Sequence, residues 1–196
     1  MLVIVGFPKS GTTTIHEALK RAGLKCVHWK RGDAPVGELV YRGWFETGDP
    51  FAFLSGCDAL TQMDYCVPPR NYWPNLDIAL LLAMRRTHPG TKFVLNYRDP
   101  QATAASMGRW GDLQGRMTRC AIPGLPRGVG TRQEDLVRWI DAHIRAIREV
   151  FAGSDDFLEL DIASETARDD LGRFIGRDLP WWGVANRNVR TGAAAD

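Results

Sequence analysis

The chain has 196 residues, 44% hydrophobic and 24% charged, with a formal net charge of +2. That is enough chain for one domain with a buried core, and the near-even charge gives no reason to expect a nucleic-acid partner. Cys26, Cys57, Cys66 and Cys120 form no C-x-x-C pair and no zinc spacing, and no apolar run approaches the ~20 residues of a membrane span. Scattered thiols fit a reducing compartment, and Leu2 to Val5 is too short for the apolar core of a signal peptide, so a cytoplasmic location is expected.

Leu2 to Val5 is a continuous apolar run with β-branched residues, as in a buried parallel strand. A helix is expected from about Thr13, because Ile15, Ala18, Leu19 and Ala22 recur on one face and Gly23 closes it. Leu24 to His28 reads as a second strand. In residues 30 to 56, Gly32, Gly37, Gly43, Gly48 and Pro50 break the pattern, and the stretch reads as loops and short helices. Ala59 to Tyr65 reads as a third strand, Asp77 to Thr87 as a helix, and Lys92 to Arg98 as the clearest later strand. A helix with proline at its start follows over Pro100 to Arg109.

Residues 111 to 130 hold five glycines and two prolines. Arg116, Arg119, Arg127 and Arg132 lie in or just after this stretch, and no acid lies between Leu113 and Gln133, so it is a candidate mobile lid. Thr131 and Glu134 have capping-box spacing ahead of a helix whose face carries Leu136, Ile140, Ile144, Ile147 and Phe151. Phe157 to Asp161 and Glu165 to Ile175 add a strand and a helix. Strands alternating with helices predict an α/β fold with a mostly parallel central sheet and helices on both faces, in a single domain over 1–196 with a loose tail from 183.

The chemistry starts at Gly6-Phe7-Pro8-Lys9-Ser10-Gly11-Thr12-Thr13-Thr14. A strand, a glycine turn and a helix start together make an anion site, with backbone N–H groups and the helix dipole facing the ligand. A Walker A loop has its lysine directly after the last glycine. Here Thr12 follows Gly11, and Lys9 precedes it.

The Pro-Lys-Ser-Gly-Thr-Thr order resembles the 5′-phosphosulfate loop of sulfotransferases that use 3′-phosphoadenosine 5′-phosphosulfate (PAPS). Arg98 at a strand end, with Ser106 eight residues on, matches the family's second motif. The resemblance implies a P-loop-like sulfotransferase fold. It implies that Pro8, Lys9, Ser10, Gly11, Thr12, Thr13 and Thr14 hold the 5′-phosphosulfate and that Arg98 and Ser106 hold the 3′-phosphate. The activity implied is sulfonate transfer to a hydroxyl or amine, with 3′-phosphoadenosine 5′-phosphate (PAP) as product and no metal, and Lys9 assisting the transfer. FLELDIASETARDDLGRFIG resembles the family's late strand-helix element. The family's loop tryptophan is replaced by Thr14, and Arg187, Asn188, Arg190 and Gly192 are the nearest match to its glycine-and-basic segment.

Where many members have a catalytic histidine, this chain has Gln62-Met63-Asp64, so Asp64 is the provisional base, with Glu38, Glu46 and His28 as alternatives. His16, which shares a helix face with Lys20 and is expected to be exposed, is not expected to be catalytic; nor are His88 and His143. Trp29, Trp44, Trp73 and Trp110 are candidates to line an acceptor pocket, whereas Trp139 is expected in the core and Trp181-Trp182 near the C-terminus or the nucleotide. The acceptor class stays open among small molecules, glycans and lipids, as does the oligomeric state. Two rival readings are a P-loop kinase or NTPase and a non-catalytic nucleotide-binding relative.

Overall fold

A computed structural model describes residues 1–185; the Arg187, Asn188, Arg190 and Gly192 candidates lie outside the described residues. The chain begins with β1 (Leu2–Ile4), α1 (Thr12–Arg21), β2 (Cys26–His28), β3 (Lys30–Arg31), β4 (Ala34–Pro35), α2 (Val36–Thr47) and β5 (Ala59–Gln62). A hairpin of β6 (Tyr65–Val67) and β7 (Arg70–Tyr72), a 3-10 turn at Pro74–Leu76, α3 (Ile78–Thr87) and β8 (Lys92–Tyr97) follow. The last elements are α4 (Pro100–Gly108), α5 (Leu113–Thr118), α6 (Gln133–Val150), β9 (Phe157–Asp161) and α7 (Ala167–Ile175).

One sheet runs β4-β3-β2-β5-β1-β8-β9. Its strands from β2 to β9 are parallel, and β3 and β4 extend it antiparallel. The apolar run read at the start of the chain is the central strand. Its side chains alternate: Val3 and Val5 enter one core with α2, α3, α4 and α6, while Leu2 and Ile4 enter a second with Ile15 and Leu19 of α1 and Leu171 of α7. Helices thus cover both faces, and the predicted α/β class is the observed one.

Four segments differ from the expectation. Residues 36 to 47, read as loops and short helices, form one 12-residue helix. Its glycines are contact points. A Cβ on Gly37 would meet the Met63 carbonyl at 2.5 Å, and one on Gly43 would meet the Asp49 carbonyl at 2.5 Å. Tertiary packing here overrides the low helix propensity of glycine. The third strand stops at Gln62, so Asp64 stands beyond the sheet and Tyr65 begins the separate hairpin. The Thr131–Glu134 capping box does not form; α6 starts at Gln133 after Arg132, with no side-chain cap, and Arg132 pairs with Asp135 instead. The glycine-rich 111–130 stretch contains α5, and it places Leu113, Met117, Cys120, Ile122 and Leu125 in the core.

Candidate functional site

The parallel strands end at one edge, where open α/β sheets bind ligands. Beyond β1 the chain makes the turn from Val5 to Gly11. Two asparagines hold it. Asn96, near the end of β8, accepts from the Gly6 N–H (2.9 Å) and donates to the Ser10 carbonyl (3.0 Å) and hydroxyl. Asn75 donates to the Gly6 carbonyl (3.0 Å). A Cβ on Gly6 would lie 2.1 Å from Asn96 Oδ1, so only glycine lets this approach occur. The Ser10 hydroxyl donates back to the Phe7 carbonyl and is almost fully buried, so within the loop it serves the turn itself.

Lys9 and Gly11 both adopt left-handed conformations, with φ of 71° and 88°. Lysine seldom takes this shape, and the strain it carries is the kind stored at functional sites. Gly11 then caps α1, whose first turn contains no acidic residue. By helix geometry the N–H groups of Thr12, Thr13 and Thr14 have no carbonyl of their own helix to reach. The Lys9 ammonium lies over the Trp110 ring, 4.9 Å from its centroid. Burial, then the nearby Arg98 charge, holds the Lys9 amine below its ordinary pKa.

Arg98, one residue past β8, donates from Nη1 to the Lys9 carbonyl at 2.7 Å. The two motifs read separately in the sequence therefore meet at one edge. Ser106 lies in α4, near its end and almost buried. Asp99 caps that helix by accepting from the Ala102 N–H at 2.8 Å, and Pro100 fills its first position.

Asp64 is buried, and burial pushes its carboxyl up to about 7. Gln62 connects it to the loop: its Nε2 donates to Asp64 Oδ2 at 3.0 Å, and its Oε1 accepts from the Thr12 hydroxyl at 3.3 Å. Of the alternatives, Glu38 is ion-paired with Arg70, and Glu46 with Arg42 on the exposed side of α2. His28 sits at the end of β2, its Nδ1 3.0 Å from Thr61 Oγ1. His16 is not the exposed residue expected: its Nδ1 is 2.9 Å from the same oxygen, and the two imidazoles lie 4.8 Å apart. Thr61 donates its one hydroxyl hydrogen to the Val27 carbonyl, so each ring donates to it through Nδ1–H. His143 is buried under Phe7, 3.2 Å from the Val5 carbonyl, and burial pushes it down to about 4. His88 pairs with Asp49.

The tryptophans divide. Trp73 and Trp139 are core residues in edge contact, so Trp73 lines no open pocket. Trp44 packs half-buried on the core, and Trp181 lies against Arg21. Trp29 and Trp110 are exposed at the edge.

Sequence reading missed Asn75, Asn96 and Gln62. Asn96 is a polar residue inside an otherwise apolar strand, KFVLNY, which is a signal in itself: a buried amide needs partners.

A model of the sulfotransferase domain matches residues 1–112, more than half of the chain. The chain belongs to this sulfotransferase family. The match takes in the loop, Asp64, Arg98 and Ser106. The late strand-helix element read as similar to the family lies beyond it, and folds as β9 and α7. No curated protein matches the chain. Sulfonate transfer is the family's general chemistry. Among the described residues no His, Cys, Asp or Glu cluster forms a metal site, and no helix is long and apolar enough to cross a membrane.

Proposed function

We propose that this sulfotransferase moves a sulfonate group from PAPS to a hydroxyl or amine acceptor and releases PAP. The observation that carries the reading is the Arg98–Lys9 bond, which joins the proposed 3′-phosphate residue to the proposed 5′-phosphosulfate loop. A nucleotide with two separate anionic groups suits an edge with two adjacent cations and no acid in the first turn of α1. An ATP-type loop is not favoured, because Lys9 precedes Gly11 by two residues.

In this reading the acceptor oxygen or nitrogen attacks sulfur in line. A new S–O or S–N bond forms, and the bond from sulfur to the phosphate oxygen breaks with its electron pair on that oxygen. The N–H groups of Thr12, Thr13 and Thr14 and the Lys9 ammonium face the charge that develops there. The acceptor proton passes to Asp64, whose pKa near 7 suits a general base at neutral pH. Gln62 sets the orientation of that carboxylate and relays it to Thr12.

Calorimetry with PAP and with ADP tests this directly. PAP binds more tightly than ADP, and Arg98→Ala weakens PAP by roughly 10- to 100-fold, the worth of a charged hydrogen bond. Equal affinity for ADP, unchanged in Arg98→Ala, overturns the reading.

A further inference from the structure

At the same edge, one strand further out, Trp29 follows β2. Its φ is 64°, a left-handed conformation that a bulky side chain adopts at a cost. Two backbone bonds enforce it: the Trp29 N–H donates to the Gln62 carbonyl at 3.0 Å, and its carbonyl accepts from the Val36 N–H at 3.0 Å. The first fixes Trp29 beside the end of β5, two residues from Asp64.

The indole stacks on Tyr65, the residue after Asp64, with centroids 5.3 Å apart and planes 24° from parallel. The Lys30 ammonium is 4.8 Å from the Trp29 centroid and 5.7 Å from that of Tyr65. These three distances make a nearly equilateral triangle. The ammonium thus lies over the indole and within reach of both rings. Trp29 remains 38% exposed. Arg70, over the Tyr65 ring, is already paired with Glu38. Among the described residues no carboxylate is ion-paired with Lys30.

We infer that Trp29 and Lys30 form the seat of the acceptor: a ring packs on the exposed part of the indole, and an anionic group on that ring meets the Lys30 ammonium. The inference rests on the sulfonate-transfer reading, which is what gives this edge an acceptor. Aromatic and sugar rings share the required chemistry, since the first offers a π face and the second a weakly polar face of C–H bonds to indole.

The test follows the indole N–H resonance of Trp29 in the full chain, assigned by its loss in Trp29→Phe. The probes are 4-hydroxybenzoate, glucuronate and the neutral 4-hydroxybenzyl alcohol, with PAP affinity measured on the same samples. The resonance shifts saturably with 4-hydroxybenzoate if the source is aromatic, or with glucuronate if it is a sugar acid. The neutral probe binds about fivefold more weakly than 4-hydroxybenzoate, and Lys30→Gln weakens the bound anion about fivefold, as expected for one partly exposed ion pair. PAP affinity is unchanged in Trp29→Phe and Lys30→Gln. No shift with either anionic ring overturns the seat, as does a shift that the neutral probe and Lys30→Gln reproduce unchanged. Failure of the native protein to bind PAP sinks the sulfonate-transfer reading instead, and is separately visible.

Discussion

Replacing Asp64 by asparagine removes a charge that the fold disfavours. Burial holds the carboxyl at about 7, against an ordinary value of 3.8. A gap of about three units, at roughly 1.4 kcal/mol each, amounts to about 4 kcal/mol. Below the ordinary value the group is protonated in both the folded and unfolded chain, and nothing is lost. As pH rises from there towards 7, the unfolded chain ionises while the folded one does not, and the native state loses about 1.4 kcal/mol per pH unit. Above about 7 both forms are ionised and the loss is complete. Asparagine has the same shape, still accepts from Gln62 through Oδ1, and does not titrate. Urea unfolding of the two proteins between about pH 4 and pH 8 reads the difference without any acceptor. The variant's advantage grows by several kcal/mol across that range and levels off above it. A difference that stays flat across the range refutes the claim that the fold keeps this acid protonated. On the proposed mechanism the same variant loses about 10²- to 10⁴-fold in turnover, and the native rate rises through pH 7 as Asp64 ionises. Greater stability with lost activity separates a catalytic role from a structural one.

Asn96→Leu strips the partners from the Gly6 N–H and Ser10 and lowers stability by about 2–4 kcal/mol in chemical denaturation, with nucleotide affinity falling alongside. Gly11→Ala forces a side chain into a φ of 88° with its Cβ 2.3 Å from Ile162 Cδ1; thermal unfolding shows a loss of about 1–3 kcal/mol, and PAP binds at least tenfold more weakly. Lys9→Met keeps most PAP affinity by calorimetry and lowers turnover by about 10²- to 10³-fold in single-turnover assays, because its charge matters most as the leaving phosphate forms.

The loop was legible because its demands are local. Gly11 answers to a left-handed backbone that other residues rarely adopt, and the apolar run before the loop reads as an interior strand; the limit on Gly6 is set from afar by Asn96. The mostly parallel α/β class followed from strands alternating with helices, whereas the order of the strands in the sheet did not. What was not legible depends on partners far along the chain. Gly37 and Gly43 read as breakers until Met63 and Asp49 are seen against them. His16 read as a surface residue until Thr61, 45 positions away, proved to be its partner. Asn96 holds a turn some 90 residues earlier, and nothing beside it in the sequence names that turn. Thr131 and Glu134 show the converse: a good local pattern gave way to an ion pair between Arg132 and Asp135.

The bond from Arg98 to the Lys9 carbonyl also bears on how tightly this edge can hold any anion. A long arginine side chain has about 2 kcal/mol of rotamer entropy to lose on becoming fixed. Here much of that loss occurs when the protein folds, so it does not subtract from the affinity of whatever docks later. The tether is also a lever. An anion drawn to the guanidinium stiffens the left-handed turn at Lys9, and an anion seated on the turn steadies the guanidinium. By reciprocity each must help the other by the same factor. On the proposed function, a molecule with two anionic groups at the right separation is thereby favoured over two molecules with one each, and the edge would measure the spacing of charge as well as its sign.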